Sequence, residues 1–266
     1  VKPNPVFNVT LAADTICNGD NAVITFEAQS SPVDFTEGDG TSFSYEVIDV
    51  GSGITGSSGS TADVINLGTI DQPLTNSSGE IQTITYRISA DYNGCIRTQD
   101  VTVTVLPSFG LSDFDDTLDN CSGISLTVTL NNTLTELATQ YRIEFDDNPN
   151  ITGQSPVTLD ADAGTPIQYS NTFTNLTSTA QTLTGTVTPS VTIEEGTVCF
   201  GTPEDFVWDI LPNPTLSDTT LKICDGGQLD FELSLLSPEL TGATFTWTAS
   251  STDGNVIGFT ADQNTN

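Results

Sequence analysis

Apolar residues recur at every second position in short stretches of this chain, and no stretch sustains the spacing of a helix face. Ala22, Ile24, Phe26 and Ala28 fall on one side of an extended segment and Val23, Thr25 and Glu27 on the other, the period of a half-buried strand. Phe43, Tyr45 and Val47 repeat the pattern, as do Ile84, Tyr86 and Ile88, and then Val101, Val103 and Val105. Turn clusters such as Glu37-Gly38-Asp39-Gly40 and Gly51-Ser52-Gly53 separate them, with glycine supplying the positive φ of tight turns. Threonine-rich stretches of this kind favour β structure. Roughly seven short strands per hundred residues predict an antiparallel immunoglobulin-like sandwich.

The pattern then recurs on a longer scale. Cys17-Asn18-Gly19 returns as Cys121-Ser122-Gly123 and as Cys224-Asp225-Gly226, at intervals of 104 and 103 residues. A period of that size is a domain, too long for a solenoid unit. Tyr141-Arg142-Ile143 takes the place of Phe43-Ser44-Tyr45, Asn150-Ile151-Thr152-Gly153 that of Gly53-Ile54-Thr55-Gly56, and Asp205-Phe206-Val207-Trp208 that of Asp100-Val101-Thr102-Val103. Trp208 thereby inherits the inward position of Val103 and is expected in the core.

The expected organisation is an all-β array of tandem sandwiches, two complete and one partial. Residues 1–107 form repeat 1, residues 108–212 repeat 2, and residues 213–266 the N-terminal part of repeat 3. Repeat 3 contributes Cys224, the strand Phe245-Thr246-Trp247-Thr248 and the loop Asn255-Val256-Ile257-Gly258. Since Val1 to Pro5 resembles Ile210 to Pro214, the chain is expected to start at a junction between units of a longer polypeptide. Proline at Leu106-Pro107 and at Leu211-Pro212-Asn213-Pro214 is expected to limit hinge freedom at the junctions.

Each complete unit carries one cysteine near its start and one near its last turn, Cys17 and Cys95 in the first, Cys121 and Cys199 in the second. The register predicts bonds Cys17–Cys95 and Cys121–Cys199, with the partner of Cys224 lying past Asn266. Each bond would close a loop of nearly 80 residues, worth roughly 4 to 5 kcal/mol in the chain-entropy account. No Cys-x-x-Cys spacing and no histidine supports a zinc site. Disulfides place the protein in an oxidising, extracellular compartment or on the cell surface.

Charge narrows the partners. Thirty-five Asp and Glu stand against five Lys and Arg, giving a net charge of −30, which repels phosphate backbones and anionic lipid and so argues against nucleic-acid binding. No apolar run is long enough to span a membrane, so direct insertion is not expected. The absence of histidine removes Ser-His-Asp and Cys-His catalysis, and no other catalytic constellation stands out, so no enzyme is predicted. Calcium is the one cofactor the residues invite. Asp113, Asp115 and Asp116 lie together at the junction of the first two units, where hard oxygen ligands could bridge domains.

Taken in order, Cys224 to Gly226, Phe245 to Thr248, Ile54 to Gly56, Ile70 to Asn76, Tyr86 to Ile88, Cys95 and Val103 to Pro107 resemble the PKD-like repeats of giant Bacteroidota surface adhesins. These include gliding-motility adhesins exported by the type IX secretion system. The resemblance covers essentially the whole chain in three registers. Departures are Ile96-Arg97, where unit two has a glycine soon after its second cysteine, and Phe173-Thr174-Asn175 in place of Leu-Thr-Asn.

The resemblance implies a non-enzymatic stalk segment, secreted to the cell surface. Its partners would be neighbouring repeats of the same long chain, the secretion and outer-membrane anchoring machinery, and surface polysaccharide. It also implies O-linked glycans at Thr15, Thr117 and Thr219, each in an Asp-Thr step just before a first cysteine. Asn-x-Ser/Thr steps at Asn8, Asn76 and Asn175 carry little weight in a bacterial protein. The alternatives are a carbohydrate-binding or spacer module of a secreted hydrolase, with Tyr92, Tyr169 and Trp247 as stacking candidates, or a subunit of an extracellular filament.

Overall fold

The computed structural model describes residues 5–28, 41–64, 67–216, 218–229, 235, 244–251, 255–258 and 263–265. The turn over residues 37–40 and the first four residues lie outside the described residues. Unit one is built from β1 (Phe7–Leu11), β2 (Thr15–Ile16), β3 (Asn21–Ala28), β4 (Thr41–Val50), β5 (Ile54–Thr55), β6 (Ser60–Val64), β7 (Leu67–Pro73), β8 (Thr75–Asn76), β9 (Gln82–Tyr92) and β10 (Cys95–Val105). Unit two repeats the series with β11 (Thr117–Cys121), β12 (Ser125–Leu130), β13 (Thr139–Phe145), β14 (Ile151–Thr152), β15 (Val157–Ala161), β16 (Ile167–Thr172), β17 (Thr174–Asn175), β18 (Gln181–Thr192), β19 (Val198–Phe200) and β20 (Glu204–Leu211). Further on, β21 (Phe245–Trp247) pairs with β22 (Gln263–Thr265).

In unit one a three-stranded sheet in the order β1-β3-β7 faces a five-stranded sheet in the order β2-β10-β9-β4-β6. Unit two has the equivalent large sheet, β11-β20-β18-β13-β15, against the pair β12-β16. The expected immunoglobulin-like sandwich is therefore present twice. One pairing departs from the antiparallel expectation. β2 lies parallel to β10, and β11 parallel to β20, because the incoming chain crosses from one sheet to the other and runs beside the outgoing strand.

Alternation translates directly into burial. Ala22, Ile24 and Phe26 from β3 meet Ile84, Tyr86, Ile88 and Ala90 from β9, and Val103 and Val105 from β10, all essentially inaccessible. Phe43 stands over Phe7 and Phe26 at ring separations of 5.5 and 5.2 Å. In unit two Trp208 occupies the expected inward position and is fully buried. It stacks on Phe206 at 4.0 Å, with Phe145 and Phe173 at its edges, and its indole N–H donates to the carbonyl of Asp115 at 3.3 Å.

The Ile-Thr-Gly loops share a single geometric cause. Gly56 and Gly153 have φ of +96° and +100°, and a Cβ there would fall 2.1 Å from the carbonyl of Pro73 and 2.6 Å from that of Thr172. Only glycine meets both conditions.

Asn76 and Asn175 are buried at equivalent places in the two units. Asn175 donates from Nδ2 to the carbonyls of Thr179 and Ile210, both at 2.7 Å, and its Oδ1 accepts from the backbone N–H and the hydroxyl of Thr177. Asn76 makes the same bonds to Glu80, Val105 and Ser78. These side chains stitch the segment after β8 or β17 to the last strand of the unit. Their burial also withdraws Asn76 and Asn175 as glycan acceptors in the folded state, whereas Asn8 is exposed. Asn175→Ala strands the Ile210 carbonyl and is expected to cost about 2 to 3 kcal/mol, measured as a lower urea midpoint for unit two. A midpoint equal to wild type would contradict this account.

A buried polar contact in unit one gives a pH dependence. The Tyr86 hydroxyl donates to Oε1 of Gln72 at 2.9 Å. Burial, reinforced by nearby Tyr45, pushes its pKa up to about 12. The folded state thus holds this proton more tightly than the unfolded chain, where tyrosine titrates near 10. Its stabilising effect is complete below pH 10 and is lost as pH rises from there towards 12. A stability profile flat across that window, with phenolate absorbance appearing at pH 10 for all tyrosines, would overturn the assignment.

Candidate functional site at the joint between the units

The feature that sequence reasoning missed is where the two sandwiches meet. Cys17 is bonded to Cys199, 182 positions away, with Cα atoms 5.4 Å apart. The expected bonds Cys17–Cys95 and Cys121–Cys199 do not form, and Cys95, Cys121 and Cys224 are unpaired.

The reason is strand length. Ile16, just before Cys17, is in register with Val105 at the end of β10, whereas Cys95 opens the same strand. At about 3.4 Å per residue the strand sets the two cysteines of unit one about 30 Å apart, far beyond the Cα separation of about 7 Å that a disulfide tolerates. The same holds in unit two. Cys121 pairs with Leu211 at the end of β20, while Cys199 sits on β19 beside the far end of β18. In units one and two the first cysteine lies at the end where the chain leaves the unit, and the second at the end where it arrives. Stacking two units head to tail brings Cys17 against Cys199.

Apolar packing surrounds the bond. Leu106 at the end of unit one, Phe109 in the linker, and Leu134, Val191 and Cys199 of unit two form one buried cluster, with Cys17, Ile81, Leu137 and Ile193 around it. The loop that supplies Leu134 is ordered by buried Asn132, which accepts from the Leu134 N–H at 3.2 Å and donates to the Thr139 hydroxyl at 2.9 Å.

The linker itself has little slack. The Leu106 N–H donates to the Ile16 carbonyl at 3.0 Å, and Asn18 Nδ2 to the Ser108 hydroxyl at 2.5 Å. The Thr202 N–H donates to the Phe109 carbonyl at 2.8 Å, and Gly110 and Thr133 exchange bonds through the Thr133 hydroxyl and the Gly110 carbonyl. Gly201 lies against the Phe109 ring, where a Cβ would come within 2.7 Å. Residues 106–110 are thus pinned to both units. The disulfide, the buried cluster and these hydrogen bonds tie one domain to the next.

The other predicted positions fall elsewhere. Asp113, Asp115 and Asp116 have exposed side chains on the segment leading into β11, where the Asp115 and Asp116 carbonyls accept from Trp208 and from the Val207 N–H. The structure does not draw the three carboxylates together, and no group of three potential metal ligands occurs among the described residues. Thr117 and Thr219 are exposed, while Thr15 is half-buried on the edge strand β2. Of the stacking candidates, Tyr169 is buried and hydrogen-bonded to Asn171. A shallow hollow on the large sheet of unit two, lined by Arg142, Glu144, Ser190, Val198 and Phe200, instead presents the exposed ring of Phe200. Among the described residues no helix is long and apolar enough to cross a membrane.

Solved structures of low similarity include FdeC, an Escherichia coli adhesin (17% identity, TM-score 0.40, 76% of this chain against 63% of that one). The paired immunoglobulin domains of DIP-gamma (9%, 0.34, 79% against 98%) and the fibronectin(III)-like modules of Clostridium thermocellum CbhA (12%, 0.29, 77% against 95%) are others. No curated protein matches. The PKD-like domain family matches residues 9–108 and again residues 119–214, one match on each sandwich. The chain belongs to the PKD-like domain family.

Proposed function

We propose that this chain is a non-enzymatic spacer segment of a large, secreted cell-surface adhesin of a Bacteroidota bacterium, holding a distal binding region away from the cell. The observation that carries the reading is the joint. A disulfide and a buried apolar cluster between successive sandwiches fix their relative orientation, as projection requires. The bond also calls for an oxidising compartment, in keeping with a place outside the cell.

On this reading the partners are neighbouring repeats of the same polypeptide, the secretion and outer-membrane anchoring machinery, and a surface polysaccharide at the far tip. Gliding motility is the process proposed for it. The test is an antibody raised against residues 5–212 and applied to intact cells, together with an in-frame deletion of the gene. Surface labelling along extended fibres, with attachment and spreading lost in the deletion strain, is the expected result. Labelling only after lysis, or unchanged attachment, would sink the proposal.

A further inference from the structure

We infer that every junction of this polypeptide is stapled as the first one is, with the first cysteine of each unit bonded to the second cysteine of the unit that follows. Cys121 would then bond the second cysteine of unit three, Cys95 the first cysteine of a unit preceding unit one, and Cys224 the second cysteine of a fourth unit. The partner surface is in each case a further PKD-like sandwich of the same chain.

Structural equivalence within the chain carries this. The turn holding Cys121 is the turn holding Cys17. Gly123 N–H donates to the Phe173 carbonyl at 2.8 Å as Gly19 N–H does to Leu74, and Ile124 N–H reaches the Cys121 carbonyl at 3.1 Å as Asp20 N–H reaches Cys17. Ser122 Oγ accepts from the Asn175 N–H where Asn18 Oδ1 accepts from that of Asn76. Gly19, Gly123 and Gly226 all take positive φ, +89°, +76° and +72°, and Gly227 N–H closes the third turn on Cys224.

The receiving end is equivalent too. Cys95 faces Tyr92 across the β9–β10 hairpin as Cys199 faces Val191 across β18–β19. In both units 78 residues separate first from second cysteine, so the second cysteine of unit three is due at roughly position 302, by the repeat period. Cys121 is exposed at the exit end of unit two, flanked by the exposed apolar side chains of Ile124 and Leu176.

The chemistry balances through a disulfide donor, a thiol–disulfide oxidoreductase or an oxidised small-molecule disulfide. One cysteine thiolate attacks the donor's S–S bond to give a mixed disulfide, and the facing thiolate displaces the donor. Two protons and two electrons leave the protein, and the donor departs as a dithiol or as two thiols.

The inference stands apart from the adhesin reading, since it concerns only how successive units are joined. Native protein is alkylated with N-ethylmaleimide before any reduction, cleaved at acidic residues, which suits a chain with five basic ones, and its linked peptides are sequenced by mass spectrometry. Expected are Cys17–Cys199, Cys121 bonded to a cysteine of the next unit, and Cys95 bonded to a Cys-x-Gly turn of the unit before. The 266-residue chain alone should take up three maleimides, at Cys95, Cys121 and Cys224. Alkylated Cys95 or Cys121 in the native protein, bonds within a unit, or bonds between separate copies would each overturn the inference, while leaving surface localisation to its own test.

Discussion

Cys17→Ser is expected to split the unfolding of the first two units into two separate transitions and to free the angle between them. The bond closes a loop of 182 positions, for which the chain-entropy relation gives about 5 kcal/mol. Each unit retains its own core, so the loss does not unfold either sandwich. It falls on the coupling between them, leaving the Leu106–Phe109–Leu134–Val191 cluster to hold the joint alone. Calorimetry should show one concerted endotherm in the oxidised protein and two in Cys17→Ser or after reduction. Small-angle scattering should show a broadened distribution of interdomain distances. Superimposable scans and profiles for the two proteins would refute the coupling.

The second large effect is expected at Trp208. Trp208→Ala removes the ring stacked on Phe206 and the donor to the Asp115 carbonyl, and truncation of a buried aromatic of this size costs about 3 to 5 kcal/mol. That approaches the whole stability of a domain of this length, so the shared endotherm of the oxidised protein should break up, with unit two melting well below unit one and unit one losing the support of the joint. Trp208→Phe keeps most of the packing and loses only the indole hydrogen bond, and should cost about 1 to 2 kcal/mol. Equal melting temperatures for wild type and Trp208→Ala would remove Trp208 from the core.

Alternation was enough to place the sandwich core, because a residue at an inward position of a two-sheet fold has nowhere else to go. Ile24, Tyr86 and Val103 were readable one strand at a time, and Trp208 by its alignment with Val103. The joint was not readable in this way. A repeat register says that Cys17 and Cys121 are equivalent, but it does not say at which end of the sandwich they sit. That depends on β2 crossing to lie parallel to β10, a long-range pairing of only Thr15 and Ile16 with Thr104 and Val105.

One signal was available. The run from Cys95 to Val105 reads as one continuous strand, and a cysteine at the start of a long strand cannot reach a residue beside its end. Asn76 and Asn175 were likewise visible only as members of a motif. Their role depends on the carbonyls of Val105 and Ile210, about 30 residues away or more in sequence, which no local pattern specifies.

The position of the staple also decides how tension travels. A pull entering through β1 and β2 reaches Cys17 and can cross the S–S bond directly to Cys199, then leave through β20. The roughly 180 residues between the two half-cystines, including β3, β9, β10 and β18, lie off that covalent path. Fully drawn out they would contribute about 600 Å of contour. The bond withholds that length, so the pair of domains resists stretching as one short link, and its extensibility is set by the sulfur bridge more than by the strength of either sandwich.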